Sequence, residues 1–92
     1  MRGPAVDLLD RLADCESGRN PRAVGGRGRF FGAFQFLPST WRSLGMAGNP
    51  VDYDYATQKA VAARIPVSAW SRQFPACSRR LGVGGGGGVG AW

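Results

Sequence analysis

Glu16 is the single glutamate of this 92-residue chain. On a helix that turns roughly 100° per residue, it projects near the middle of an apolar face, one turn after Leu12 and two turns after Leu9. A carboxyl group in apolar surroundings has a raised pKa, which is what a general acid needs near neutral pH. An ion pair with an arginine, or a frayed helix end that faces water, would explain the same placement. The pattern alone leaves these alternatives open.

The residue types that are absent narrow the chemistry further. The chain has no histidine, which excludes Ser-His-Asp and Cys-His nucleophile systems. Two cysteines without histidine cannot form a four-ligand zinc site, and the only lysine, Lys59, follows no glycine-rich phosphate loop. We therefore expect neither a metal nor a cofactor. No apolar run approaches the ~18–20 residues that span a membrane.

Cys15 and Cys77 are too far apart in sequence for a redox CxxC motif. A disulfide between them would close a loop of about 60 residues and stabilise the fold by roughly 4 kcal/mol. Such a bond would matter, because a domain this small buries little surface and often needs covalent support. The alternative that the spacing leaves open is a pair of buried, reduced thiols.

The elements that must position these residues are predicted to be mainly helical. The first segment separates apolar residues from a polar stripe that includes Asp7, Asp10 and Asp14. Glycine and arginine dominate the next segment, which predicts a loop or a short irregular hairpin. The predicted elements are a helix at 4–18, the loop or hairpin at 19–32, a helix at 38–45 ending at Gly45, a helix capped by Asp54 that runs to Ile65, and a short helix after Pro66.

Composition divides the chain into two parts. Residues 1–82 form the predicted domain, and the glycine-rich residues 83–92 predict a flexible tail or linker. Residues 1–3 lead directly into the amphipathic segment without the apolar region of a signal peptide. We therefore expect either a mature fragment with a start Met or export by another route.

Two motifs connect this chain with a known family. DRLADCESGRN (10–20) followed by FFGAFQFLPSTWRSLG (30–45) resembles the resuscitation-promoting factors of actinobacteria, which belong to the lysozyme-like and lytic transglycosylase group. DYATQKAVAARI (54–65) and AWSRQFPACSRRLG (69–82) continue the resemblance, which covers residues 6–82. It implies a mainly α, α+β lysozyme-like fold: a small helical domain with a cleft, a short loop or β-hairpin and one disulfide.

The resemblance also implies roles for individual residues. The family's catalytic glutamate corresponds to Glu16, and its disulfide corresponds to Cys15 with Cys77. The Gln and Thr of the second motif correspond to Gln35 and Thr40, which would line the cleft.

The aromatic residues of the second motif have mixed interpretations. Trp41 fits either the cleft wall or the core. Phe30 and Phe31 stand where the family commonly has a Tyr pair, so candidate hydroxyl hydrogen bonds are lost while rings that can stack on sugars remain. Phe34 and Phe36 are predicted to belong to the core.

The implied reaction is cleavage of the MurNAc-β-1,4-GlcNAc bond of peptidoglycan. A two-carboxylate glycosidase needs a second acid across the bond. Asp14 lies on the polar face, however, and capping explains Asp52 and Asp54. A single-acid mechanism therefore fits better: Glu16 protonates the glycosidic oxygen and then accepts the C6 hydroxyl proton, and this lytic transglycosylase reaction leaves a 1,6-anhydro ring.

Other functions are compatible with the same residues. A muramidase would hydrolyse the same bond, and a catalytically silent module on this fold would only bind the cell wall. A net charge of +6 also suits a nucleic-acid-binding module, but the arginines do not line one helix and no known reader motif is present. We expect a monomer that binds glycan strands and anionic wall polymers. Its expected location is the bacterial cell wall after secretion, or a phage virion or lysis protein.

Overall fold

The computed structural model describes residues 6–83, which form five α-helices and one small antiparallel hairpin. In chain order the elements are α1 (Leu8–Ser17), β1 (Val24–Gly25), β2 (Phe30–Phe31), α2 (Pro38–Ser43), α3 (Tyr55–Ala62), α4 (Trp70–Gln73) and α5 (Pro75–Leu81). Short 3-10 helices lie at Pro50–Asp52 and Val67–Ala69. The arrangement confirms the predicted fold class, a mainly α, α+β lysozyme-like domain with a short hairpin and one disulfide.

Helix α1 begins at Leu8, and the start predicted at position 4 lies outside the described residues. The Asp7 carboxylate accepts a hydrogen bond from the Asp10 N–H at 2.9 Å, and the Asp10 carboxylate accepts one from the Asp7 N–H at 3.2 Å. This capping box fixes the start of the helix, because it satisfies backbone donors that have no partner in the first turn. At the other end, Gly18 has a left-handed φ of 71°, which ends the helix just after Glu16.

The polar stripe of α1 is partly buried against α3. Asp10 is only 7% exposed, and its carboxylate accepts a hydrogen bond from the Tyr55 hydroxyl. The Lys59 ammonium lies 3.1 Å from the same carboxylate. The Tyr55 hydrogen bond is the main reason why the pKa of Asp10 falls to about 2. A residue of the predicted polar stripe therefore links two helices.

The elements predicted for the middle of the chain are confirmed, with shorter helices. The loop or hairpin is the antiparallel pair β1–β2, with Gly25 opposite Phe30. Helix α2 ends before Gly45, whose φ is 93°. Asp54 caps α3 by accepting a hydrogen bond from the Thr57 N–H at 2.8 Å. The end of α3 is earlier than predicted because the following residues make tighter 3-10-type hydrogen bonds.

The segment after Pro66 contains two helices, whereas the sequence predicts one. The chain bends at Phe74, where φ is −134° and ψ is 62°, and Pro75 then occupies the first position of α5. Proline lacks the N–H that would continue α4, yet its fixed φ suits a new helix start. The sequence analysis therefore does not predict α5, which begins only one residue after Phe74.

An aromatic cluster forms the centre of the core and includes Trp41. The Trp41 side chain is fully buried, its ring centroid lies 5.2 Å from that of Phe36, and its indole N–H donates to the Ala47 carbonyl at 3.2 Å. The core interpretation of Trp41 is therefore confirmed. The cleft-wall interpretation is wrong, because no part of the ring reaches the surface. Phe34 and Phe36 are core residues as predicted.

The predicted C-terminal boundary of the domain lies at the edge of the described residues. The tail predicted at 83–92 lies outside the described residues except for Val83, whose N–H donates to the Ser78 carbonyl at 3.0 Å. A boundary near residue 82 stays a prediction.

Within residues 6–83, no helix combines the length and the apolar character needed to cross a bilayer.

Candidate active site

The end of α1, the hairpin region and the α4–α5 junction together form a cavity of about 250 Å³. The residues that line it are Glu16, Phe30, Gln35, Gln73, Pro75 and Ala76. Three residues predicted as functional from the sequence, Glu16, Phe30 and Gln35, therefore meet at one place. Among the described residues, no three cysteine, aspartate or glutamate side chains come together as a set of metal ligands.

Glu16 is half-buried at this cavity. Burial raises the pKa of its carboxyl group from the usual 4.5 to about 7. No arginine or lysine within residues 6–83 forms a salt bridge with it. The ion-pair alternative therefore fails for the described arginines, and half-burial does not fit a helix end that simply faces water. Near neutral pH a large fraction of the group keeps its proton, as a proton donor requires.

The aspartates all lie within the described residues, and each is engaged away from the cavity. Asp14 forms a bidentate salt bridge with Arg19, with both N–O distances at 2.8 Å. The other four take part in capping helix starts: Asp7, Asp10, Asp52 and Asp54. Glu16 is therefore the only side-chain carboxylate at the cavity that the described residues form.

The hairpin fixes the Gln35 side chain at the cavity. Gln35 has a positive φ of 53°, which is uncommon for a residue other than glycine. Its Nε2 donates to the Gly32 carbonyl at 2.9 Å. Its Oε1 lies so close to Gly25 that a Cβ at that position would overlap it. A side chain at position 25 would therefore displace the Gln35 amide from its place against β1.

The Cys15–Cys77 disulfide joins two helices that line the cavity. The Cα atoms are 5.9 Å apart, and the bond closes a sequence separation of 62 residues. The pairing that the resemblance implied is therefore confirmed. Because Glu16 follows Cys15 and Ala76 precedes Cys77, the bond keeps the Glu16 carboxyl group beside the α4–α5 junction.

Comparison with models of protein families shows which family this chain belongs to. A family model described as a transglycosylase-like domain matches residues 4–77. The chain belongs to the transglycosylase-like family. The match includes every cavity-lining residue of this transglycosylase-like domain, from Glu16 to Ala76.

The curated relatives of the transglycosylase-like domain include several resuscitation-promoting factors. RpfC of Mycobacterium tuberculosis is 37% identical over 81 residues, which cover 88% of this chain and 56% of the relative. Rpf of Micrococcus luteus is 37% identical over 79 residues, which cover 85% of this chain and 34% of the relative. Rpf1 of Corynebacterium glutamicum is 40% identical over 78 residues, which cover 80% of this chain and 39% of the relative. The resemblance to this family is confirmed, and the chain spans between 34% and 56% of the length of these relatives.

Two further residues predicted to contact substrate do not line the cavity. Phe31 follows Phe30 on β2, and because successive side chains of a strand point to opposite faces, only Phe30 reaches the cavity. Thr40 lies half-buried in α2, where its carbonyl accepts a hydrogen bond from the Ser43 hydroxyl at 2.7 Å. With Trp41 in the core, the hairpin region supplies the second-motif contacts to the cavity, and α2 supplies none among the lining residues.

Three lining residues of the transglycosylase-like domain were not predicted from the sequence: Gln73, Pro75 and Ala76. No local pattern marks them, because each is a common residue in a short, irregular segment. The one usable signal was Cys77. Its bond to Cys15 requires the residues just before it to lie close to Glu16.

Gln58 was also not predicted from the sequence. Its side chain connects the loops around the site through hydrogen bonds. It is fully buried, its Oε1 accepts a hydrogen bond from the Ala33 N–H at 2.7 Å, and its Nε2 donates to the Pro21 carbonyl at 2.9 Å. The Ala33 carbonyl in turn accepts a hydrogen bond from the Ser17 hydroxyl at 2.7 Å. The residue after Glu16 is therefore anchored to the same loop that Gln58 holds.

We expect Glu16→Gln to raise the melting temperature of the transglycosylase-like domain at about pH 8 and to leave it unchanged at about pH 4. The folded-state pKa of about 7 lies above the usual 4.5, so between these values the unfolded chain releases a proton that the folded chain keeps. Wild-type stability therefore falls as pH rises through this window, and glutamine carries no such cost. Circular dichroism melts at the two pH values measure the difference.

The matched control for that experiment is Asp14→Asn on the same helix. The salt bridge with Arg19 lowers the pKa of Asp14, so its ionised form stabilises the folded state and its loss should lower the melting temperature at about pH 8. A Glu16→Gln effect of the same size at both pH values would contradict the raised pKa of Glu16.

Proposed function

We propose that this domain cleaves the MurNAc-β-1,4-GlcNAc bond of peptidoglycan as a lytic transglycosylase. One observation carries the proposal: Glu16, with a pKa that burial raises to about 7, is the only side-chain carboxylate at the cavity of the described residues. Membership of the transglycosylase-like family and the similarity to resuscitation-promoting factors support a peptidoglycan-cleaving enzyme.

In the proposed reaction, Glu16 acts first as an acid and then as a base. Its carboxyl group donates a proton to the glycosidic oxygen, the bond from that oxygen to C1 of MurNAc breaks, and GlcNAc leaves with a new hydroxyl group. The 2-acetamido group of the substrate or nearby backbone dipoles stabilise the cationic sugar. The Glu16 carboxylate then accepts the proton of the C6 hydroxyl as its oxygen bonds to C1. The 1,6-anhydro ring closes without water, and Glu16 regains its proton.

Two other cavity residues have proposed roles in holding the glycan. The Gln35 amide, fixed by its bond to the Gly32 carbonyl, is placed to hydrogen-bond a polar substituent of a sugar. The Phe30 ring offers an apolar face on which a sugar ring can stack. Neither role requires the Tyr hydroxyls that the family commonly has at this position.

The products distinguish this reaction from hydrolysis. We expect mass spectrometry of digested, purified peptidoglycan to show muropeptides that end in anhydro-MurNAc, lighter by one water than the products of a muramidase. In water labelled with a heavy oxygen isotope, ring closure leaves the product unlabelled, whereas hydrolysis adds the label. If the main product were labelled MurNAc with a free reducing end, the domain would be a muramidase and not a lytic transglycosylase.

The proposed location is the bacterial cell wall after secretion, where the substrate lies. The net charge of +6 would draw the domain toward anionic wall polymers through a long-range attraction that salt weakens. A monomer is sufficient for this chemistry, because one chain supplies every residue that lines the cavity.

A further inference from the structure

We propose that Arg29 and Arg79 form a cationic rim of the cavity, which binds free carboxylate groups on the peptide side chains of the glycan strand. This inference rests on the proposed action on peptidoglycan and goes beyond it, because it assigns a substrate preference to two residues that take no part in the proton transfers.

Arg29 belongs to the hairpin that supplies one wall of the cavity. Its backbone N–H donates to the Gly25 carbonyl at 3.1 Å, which fixes the turn before β2. Its guanidinium carbon lies 5.9 Å from the centroid of the Phe30 ring, within the range of a cation–π contact. Because Phe30 lines the cavity, this contact holds an exposed guanidinium at the cavity edge.

Arg79 continues the wall that α5 contributes. At roughly 100° per residue, it projects between Pro75 and Ala76 and lies about 6 Å farther along the helix axis. Both of those residues line the cavity, whereas Cys77 and Ser78 occupy the buried face of the same helix. The exposed Arg79 side chain therefore follows the cavity-lining face of α5 by one turn.

The charge of this rim is not compensated by the described part of the chain. Within residues 6–83, neither Arg29 nor Arg79 forms a salt bridge, and every aspartate is engaged elsewhere. Guanidinium groups bind carboxylates through paired, charge-assisted hydrogen bonds. Neutral sugar rings carry no anionic group for these arginines to bind, whereas free carboxylates on the strand's peptides are such groups.

The test compares a rim variant, Arg29→Gln/Arg79→Gln, with a control of equal charge, Arg11→Gln/Arg42→Gln. The control arginines are exposed on α1 and α2 and do not line the cavity. The substrate is peptidoglycan stripped of wall polymers, used either with free carboxylates or after their amidation with a carbodiimide and ammonia. The readouts are kcat/KM for release of soluble fragments and the Kd for sedimentation with the same material, the latter in a Glu16→Gln background.

On material with free carboxylates, we expect the rim variant to have a kcat/KM about tenfold lower and a Kd about tenfold higher than the wild type. On amidated material, we expect both values to match those of the wild type. The control should change less than about twofold, because remote surface charges contribute only screened, long-range attraction. Equal losses in the two variants, or a wild type that does not distinguish the two substrates, would overturn the rim. Walls that retain their polymers serve as a third material, and a rim effect seen only on them would assign the anion to those polymers and overturn the binding of peptide carboxylates. If the wild type released no fragments, the proposed function would fail. The Kd values would still show whether Arg29 and Arg79 bind the carboxylates.

Discussion

Replacement of Glu16 by glutamine is expected to reduce kcat/KM on purified peptidoglycan by about 10²–10⁴-fold. Glutamine keeps the size and shape of the side chain, but its amide cannot deliver a proton to the glycosidic oxygen or accept one from the C6 hydroxyl. No other side-chain carboxylate of the described residues lies at the cavity to replace it. Quantification of soluble muropeptides over time gives the rates of the wild type and of Glu16→Gln.

The pH dependence of the wild type provides an independent signature of the same group. Because the pKa of Glu16 is raised to about 7, kcat/KM should fall as pH rises above that value, toward a tenfold loss per pH unit. The residual activity of Glu16→Gln should lack this decline. Asp14→Asn is the matched control, since its exposed carboxylate is paired with Arg19 and should affect neither rate nor profile. Full activity in Glu16→Gln would refute the assignment.

Loss of the Cys15–Cys77 disulfide is expected to lower the free energy of unfolding by about 4 kcal/mol. The bond closes a sequence separation of 62 residues, so its removal restores much conformational freedom to the unfolded chain. For a domain of this size the change corresponds to a fall in melting temperature of about 20 °C. Activity should fall as well, because the bond connects the helix that carries Glu16 with the helix that carries Pro75 and Ala76.

The experiment compares Cys15→Ser/Cys77→Ser with the wild type, each with and without a reducing agent, in thermal melts. The reducing agent should lower the melting temperature of the wild type to that of the double variant, and should leave the variant unchanged. This comparison separates loss of the bond from packing defects of the serine side chains. A wild type whose stability did not respond to complete reduction, verified by thiol titration, would contradict a stabilising role for the bond.

Helical periodicity and capping chemistry predicted much of this fold correctly. The spacing of Leu9, Leu12 and Glu16 predicted a carboxyl group on an apolar face, and the structure places that group half-buried at a cavity. Asp54 predicted the start of α3, because a carboxylate before a helical segment satisfies free backbone N–H groups. These are local properties, so neighbouring residues in the sequence are enough to reveal them.

The errors arose where long-range contacts override local patterns. Asp10 lies on a polar stripe, but the Tyr55 hydroxyl, far away in sequence, makes its burial favourable. Trp41 is compatible with either a wall or a core until the packing of α2 is known. Pro75 breaks one helix and begins another, and only the tertiary fold shows that both occur.

The sequence by itself determined the chemical groups: one glutamate, no histidine, two distant cysteines and an amphipathic first helix. The tertiary structure alone decided which surfaces meet, because the Cys15–Cys77 bond and the buried Gln58 amide join segments that share no local pattern. It brought Gln73, Pro75 and Ala76 to the cavity, and it buried Asp10 against the Tyr55 hydroxyl. The pKa of Glu16 depends on this arrangement, because desolvation is a property of all the atoms around a carboxyl group and not of its position in the chain.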